Sequence, residues 1–159
     1  MLEANLRKYR DCVGLMILNS QNKIFTGQRT DFISGAWQMP QGGIDEGESC
    51  VEAAFRELKE ETFISKTSVK ILAISKKWIK YDLPKDLVPK LWKGKFIGQR
   101  QRWFLMRFVG EDDEIDINTD KPEFSVWRWS DQRELVANIV QFKKKTYTSV
   151  LKEFSSHFQ

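Results

Sequence analysis

The stretch that decides the fold is Gly42-Gly43-Ile44-Asp45-Glu46-Gly47-Glu48-Ser49-Cys50-Val51-Glu52-Ala53-Ala54-Phe55-Arg56-Glu57-Leu58-Lys59-Glu60-Glu61. Pro40 and the two glycines argue against a continuing central strand just before it. Glu48 or Ser49 is placed to start a helix that reaches about Thr62. Val51, Ala54, Phe55 and Leu58 fall at i, i+3, i+4 and i+7, which predicts one buried stripe. Glu57, Glu60 and Glu61 stand at i, i+3 and i+4 and share another face. At about 100° per residue, that face is centred roughly 120° from the stripe. Three crowded carboxylates repel one another unless a cation sits between them, and hard oxygen ligands suit Mg²⁺ or Mn²⁺. Taken by itself, the hexad from Arg56 to Glu61 is more simply read as a solvated acidic face whose Arg56 and Lys59 make local ion pairs.

Outward from this stretch, the chain has 159 residues, 26 Lys+Arg against 22 Asp+Glu, and 41% hydrophobic residues including six Trp and eleven Phe. That is enough to bury a core without staples and too apolar for disorder. Cys12 and Cys50 form no metal or disulfide framework with the single His157, and are expected to be buried small hydrophobes. The apolar run Cys12–Leu18 is too short to span a bilayer. Arg7, Lys8 and Arg10 before it faintly resemble a secretory signal, but the run is short and Asn19-Ser20-Gln21-Asn22 is a turn, not a cleavage site. The expectation is a soluble, cytoplasmic, monomeric protein with one domain over residues 1–159.

Ten Lys/Arg lie between Lys76 and Arg107 against the acids Asp82 and Asp86, interleaved with Trp78, Tyr81, Trp92, Phe96, Trp103 and Phe104. Lys143-Lys144-Lys145 follows Phe142. Such runs are either solvated faces or sites for single-stranded nucleic acid, whose phosphates take cations and whose bases stack on rings. The pattern further predicts a hairpin from Cys12–Asn19 and Lys23–Gln28, a loop over 30–35, and strands at Val69–Ser75, Trp78–Leu83, Arg100–Val109 and Val126–Trp129. A short helix capped by Ser130 or Asp131 and a longer one from Val140 to Phe158 complete an α/β domain.

Gly42, five residues, Glu48, seven residues, and then Arg56-Glu57-Leu58-Lys59-Glu60-Glu61 resembles the signature of the Nudix hydrolases. The final glycine of that signature is Phe63 here. A Phe at positive φ would cost about 1–2 kcal/mol, so the helix end is expected to adjust and the ring to pack inward. Tyr9-Arg10, Trp37-Gln38-Met39-Pro40-Gln41-Gly42-Gly43, the run from Trp78 to Pro84, the run from Ile97 to Phe104, Pro122-Glu123-Phe124, Trp127-Arg128-Trp129 and Gln141-Phe142-Lys143 resemble the bacterial branch of RNA pyrophosphohydrolases and dinucleoside polyphosphate hydrolases.

The resemblance implies an α/β/α sandwich with a mixed β-sheet and a catalytic loop–helix–loop. It implies Mg²⁺ or Mn²⁺, more than one ion with substrate bound, held by Glu57, Glu60, Glu61 and Glu123 and by the Gly42 carbonyl. Arg56 would orient carboxylates, with Glu48 as its partner and Gly42 and Gly43 shaping the loop. Arg10, Arg29, Gln41, Tyr81, Phe142 and Lys143 would bind substrate, while Trp103, Phe104, Trp127 and Trp129 pack. The implied activity is hydrolysis at the 5′ tri- or diphosphate end of RNA. Hydrolysis of a diadenosine tetraphosphate type of dinucleotide is the alternative, and an RNA-binding module without catalysis is a third.

Overall fold

The computed structural model describes residues 9–30 and 35–158. Most of the loop expected at 30–35 therefore lies outside the described residues. Strands β1 (Tyr9–Leu18), β2 (Ile24–Arg29), β3 (Trp37–Gln38), β4 (Gln41–Gly43), β5 (Val69–Ile74), β6 (Ile79–Asp82), β7 (Gly98–Phe108) and β8 (Phe124–Ser130) form one mixed sheet. Helices α1 (Cys50–Thr62), α2 (Gln132–Ala137) and α3 (Lys144–Glu153) cover it.

The centre is the parallel pairing of β1 with β7, registered from Tyr9 opposite Gly98 to Leu18 opposite Arg107. Side chains alternate across these two strands, as a strand buried on both faces requires. Val13, Leu15, Ile17, Phe104, Met106 and Phe108 point to the layer that holds Ala53, Ala54 and Leu58 of α1. Met16, Leu18, Trp103 and Leu105 point to the other, against Leu135 of α2 and Tyr147, Val150 and Phe154 of α3. The fold is the expected α/β/α sandwich. Trp103 and Phe104 are fully buried within it, and Trp127 stacks on Phe25 at 5.4 Å. The predicted strands are all present, and β2 closes the N-terminal hairpin antiparallel to β1.

Four details differ from expectation. Gln41–Gly43 is a short strand after all, pairing antiparallel with β1. Pro40 separates it from β3 yet still accepts a bond from the Leu15 N–H, since proline lacks only the donor. Val51 is exposed, and Ala53, Ala54 and Leu58 make the buried stripe with partly buried Phe55. Small alanines let α1 approach the sheet, which leaves Val51 on the outer side. Cys50, at the first position of the helix, is only half-buried, whereas Cys12 is buried in β1. The long terminal helix is split into a 3-10 turn at Gln141–Lys143, α3, and another 3-10 turn at Ser155–Phe158. Lys143 is drawn inward at the first break.

Gly14 faces the same layer as its registered neighbour Trp103, and a Cβ there would lie 2.4 Å from the indole ring. The ring occupies the side-chain space that β1 leaves open. Gly14→Ala is therefore expected to destabilise the fold by about 1–3 kcal/mol, the cost of overpacking. Urea denaturation checks this, with the midpoint falling at unchanged slope.

Candidate active site

Helix α1 begins with a reciprocal cap: Ser49 Oγ accepts from the Glu52 N–H at 3.1 Å, and Glu52 Oε1 accepts from the Ser49 N–H at 3.4 Å. It ends at Phe63 in the left-handed region, φ 65°, where the Phe63 N–H still bonds the Lys59 carbonyl. The helix end therefore keeps the geometry of a glycine cap. The ring stays outside, 51% exposed, with the Lys59 ammonium 3.8 Å from its centroid. The expectation that the ring packs inward is overturned. The ring borders the cleft beside α1, and Lys59 covers its face.

The acids divide by depth. Glu57 and Glu61, one turn apart, are buried against the sheet, while the Glu60 side chain is 57% exposed on the rim. Arg56 gathers the loop and the helix with all five of its N–H groups. Nε and Nη2 hold Glu48 at 2.7 and 2.8 Å, Nη2 also holds the Gly43 carbonyl at 2.7 Å, and Nη1 reaches Glu57 at 2.7 Å and Glu60 at 3.2 Å. This is the forked recognition that arginine alone provides. The guanidinium bonds to Glu48 hold its carboxyl down at about 2. Glu48 is thus the partner of Arg56.

Burial raises the Glu57 carboxyl despite Arg56, and raises Glu61 well above the usual carboxylate range, with repulsion from Glu57 and Glu123 adding to it. The Gln41 backbone N–H bonds Glu61, but Glu61 Oε2 is buried without a partner. Among the described residues, no three carboxylate, imidazole or thiol groups already converge on one point. Even so, an orphaned carboxylate oxygen beside two others that repel it is a donor set suited to a hard divalent cation.

The glycines make room for these groups. A Cβ on Gly42 would stand 2.0 Å from Glu57 Cδ, and one on Gly43 would stand 2.5 Å from Arg10 Nη2. The ladder bonds Leu15 N–H to Pro40 and Ile44 N–H to Asp11 bracket the Val13–Gly42 pair. The alternation of an antiparallel ladder then turns the Gly42 carbonyl toward β1. The carbonyls turned the other way are those of Gln41 and Gly43, and Gly43 already serves Arg56. The backbone oxygen disposed toward the carboxylates is that of Gln41, not Gly42.

These groups line a cleft of about 890 Å³. Glu57, Glu60, Glu61, Glu123, Gly42, Gly43, Arg10, Arg29, Gln41, Tyr81, Phe142 and Lys143 all border it; Arg56 and Glu48 stand behind. Arg29 follows a register shift in the β2–β8 pairing, a bulge of the kind that re-aims a side chain, and its guanidinium lies 3.5 Å from Glu123. Lys143 was expected to be either a surface charge or a substrate contact. It is 6% exposed on the cleft wall, and burial lowers its ammonium to about 8. Tyr81 and Phe142 meet with centroids 5.8 Å apart.

Trp92, Gln38, Gln99 and Thr119 also line the cleft, and none of them is among the site residues expected from the sequence. Gln38 Nε2 and Thr119 Oγ1 are buried without partners, a cost that a polar ligand would offset. Beneath Gln41 runs a chain of amides. Trp103 Nε1 donates to Gln101 Oε1 at 2.9 Å, and Gln101 Nε2 donates to Gln99 and Gln41.

Residues 8–150 match the NUDIX domain model. The chain belongs to the Nudix family. An RNA pyrophosphohydrolase of Roseobacter denitrificans is 53% identical over 149 residues, covering 94% of this chain and 93% of that one. One of Rickettsia canadensis is 54% identical over 151 residues, covering 95% and 92%. Among solved structures, a C. elegans Ap4A hydrolase complex superimposes with TM-score 0.68 at 21% identity, covering 92% of this chain and 96% of that one. The E. coli dihydroneopterin triphosphate pyrophosphohydrolase gives 0.68 at 19%, covering 89% and 95%. At those identities they speak for the Nudix fold alone. Nudix hydrolases act on phosphoanhydride bonds and generally depend on a divalent metal, which accords with the orphaned Glu61 oxygen. No described helix is long and apolar enough to cross a membrane.

A carboxyl raised by burial favours the fold fully below its unfolded value near 4.5 and loses that contribution as pH rises through its folded value. Glu61→Gln is accordingly expected to raise the melting temperature of the metal-free protein at pH 7–8 and to leave it little changed near pH 4.5. Wild type should gain more than the variant from added Mg²⁺, and that gain should shrink as pH falls. Scanning calorimetry with and without the ion checks both.

Proposed function

We propose that this Nudix hydrolase removes pyrophosphate or phosphate from the 5′ tri- or diphosphate end of RNA and leaves a 5′ monophosphate. In this reading it uses Mg²⁺ or Mn²⁺, with more than one ion engaged when substrate is bound. The observation that carries the reading is that one cleft holds both the carboxylates of α1 and a cationic, aromatic wall of Arg10, Arg29, Tyr81, Phe142 and Lys143. Relatives more than half identical over nearly the whole chain carry the name RNA pyrophosphohydrolase.

The polyphosphate lies against Arg10 and Lys143; its charge raises the Lys143 ammonium back toward the ordinary lysine range. Phe142 offers a face on which the terminal base stacks, worth about 1–3 kcal/mol, with Arg29 as a cation beside it. Glu57, Glu60, Glu61 and Glu123, with the Gln41 carbonyl, are the oxygens that would hold divalent ions. When bound, those ions neutralise phosphate charge and lower the pKa of a water in the site. Arg56 fixes Glu57 Oε1, leaving Oε2 to accept the proton of the attacking water. Burial raises this carboxyl toward the operating pH, as a general base requires.

The dinucleoside polyphosphate alternative places the same charges on a ligand with a second nucleoside in place of a chain. Turnover of a γ-labelled triphosphorylated oligonucleotide against that of diadenosine tetraphosphate, at matched Mg²⁺, separates the two. RNA is expected to be the better substrate, and thin-layer chromatography shows whether pyrophosphate or phosphate leaves. Turnover confined to the dinucleotide would overturn the reading; turnover of neither would favour an RNA-binding module without catalysis.

Glu57→Gln and Glu60→Gln should each lower kcat by at least about 10²-fold. Each should retain the folded circular dichroism spectrum, because removing one of several crowded charges relieves repulsion. Phe142→Ala should raise KM and leave metal affinity unchanged; equal loss of both in titrations would assign the ring to packing.

A further inference from the structure

A second groove, of about 540 Å³, lies beside the cleft, and Tyr81 and Phe142 line both. The tilted ring pair is therefore a partition between them. The groove follows β6, which pairs with β7 and has no second strand partner among the described residues.

Lys77, Lys80 and Lys145 border the groove and are exposed. Among the described residues, none of the three makes an ion pair with a carboxylate. The two acids on the same walls are already engaged. Asp82 accepts from the Tyr9 hydroxyl at 2.6 Å, and Glu153 accepts from the Lys76 N–H at 2.8 Å. Those donors are neutral and leave both charges in place, so three lysines against two carboxylates make the groove cationic by one charge. Half-buried Trp78 also lines it, with the Arg100 and Arg102 guanidiniums 4.3 and 5.7 Å from its ring centroid, and the Lys80 ammonium lies 5.1 Å from the Tyr9 ring.

We propose that this groove receives the third and following nucleotides of a single-stranded RNA whose first two nucleotides are in the cleft. The lysines take its phosphates, and Trp78 and Tyr9 meet its bases. Cations spaced along a track with interleaved rings are the general solution for holding a strand without reading its sequence. A dinucleoside polyphosphate has no backbone to lay there, so the inference rests on the RNA reading and sharpens it.

The test uses Lys80→Ala/Lys145→Ala and, as an equal change of charge on a surface that lines neither space, Lys66→Ala/Lys70→Ala. Steady-state kinetics are measured on triphosphorylated RNAs from two to about eight nucleotides long and on diadenosine tetraphosphate. For wild type, lengthening the RNA should lower KM by roughly 10-fold, and the groove variant should lose most of that gain. The slope of log KM against log salt on the long RNA should fall by about 1.4 for two lost phosphate contacts on a single strand. The shortest RNA, the dinucleotide and the control variant should be unaffected.

Length-independent KM in wild type would overturn the proposal, as would equal losses on short and long RNA or equal losses in the control. Unchanged RNA kinetics in the groove variant would also overturn it and would leave the lysines to an acidic protein partner. If wild type cleaves diadenosine tetraphosphate but no RNA of any length, the RNA reading itself falls and this inference with it.

Discussion

The guanidinium of Arg56 spends its five N–H groups on the Glu48 carboxylate, the Gly43 carbonyl, Glu57 and Glu60. It thereby fastens together a strand, the loop that follows it and the next helix, between which no ladder bonds run. The loop from Ile44 to Ser49 is fastened at its base by Glu48 and Gly43. The reacting face of α1 is fastened by Glu57. A lysine in this place has three donors on a point charge and could satisfy only part of the set. Of the two buried acids, Glu57 depends on this clamp directly, whereas Glu61 is held by the Gln41 backbone N–H.

The sheet supplies the rigidity behind that clamp. β1 and β7 are buried on both faces, and the site is assembled where their N-terminal halves meet β4, β6 and the 3-10 turn before α3. Arg10 comes from β1, Gln41 from β4, Tyr81 from β6, Gln99 from β7 and Phe142 with Lys143 from the turn. Five chain segments far apart in sequence thus present side chains to one space. Gly42 and Gly43 are the places where backbone has to stand aside for Glu57 and Arg10.

The arrangement of the carboxylates was legible in the sequence because spacing on a helix dictates which residues share a side. The depth of each was not. Periodicity placed Glu57, Glu60 and Glu61 together, but which of them the sheet would cover depended on how closely Ala53 and Ala54 let α1 approach. The same uncertainty hid the exposure of Val51. Phe63 shows a different limit: sequence shows that a glycine position is filled by an aromatic residue, but not whether backbone geometry or residue preference prevails. Here the cap geometry won. The oxygen directed at the carboxylates shifted from Gly42 to Gln41 because carbonyl direction follows strand pairing, and pairing is a property of the partner strand. The inward Lys143 was hidden for a related reason, since it sits at a break in what periodicity presents as one continuous helix.

The amides under the cleft floor carry a direction. An indole can only donate, so Trp103 obliges Gln101 to turn its oxygen inward and its NH₂ outward. That NH₂ in turn claims the oxygen of Gln41. The amide nitrogen of Gln41 is thereby turned to donate, and it bonds the Tyr81 hydroxyl. A hydrophobic-core ring thus sets the sign of a dipole at the bottom of a site it never touches, and the Tyr81 hydroxyl on the cleft wall meets a donor already turned toward it.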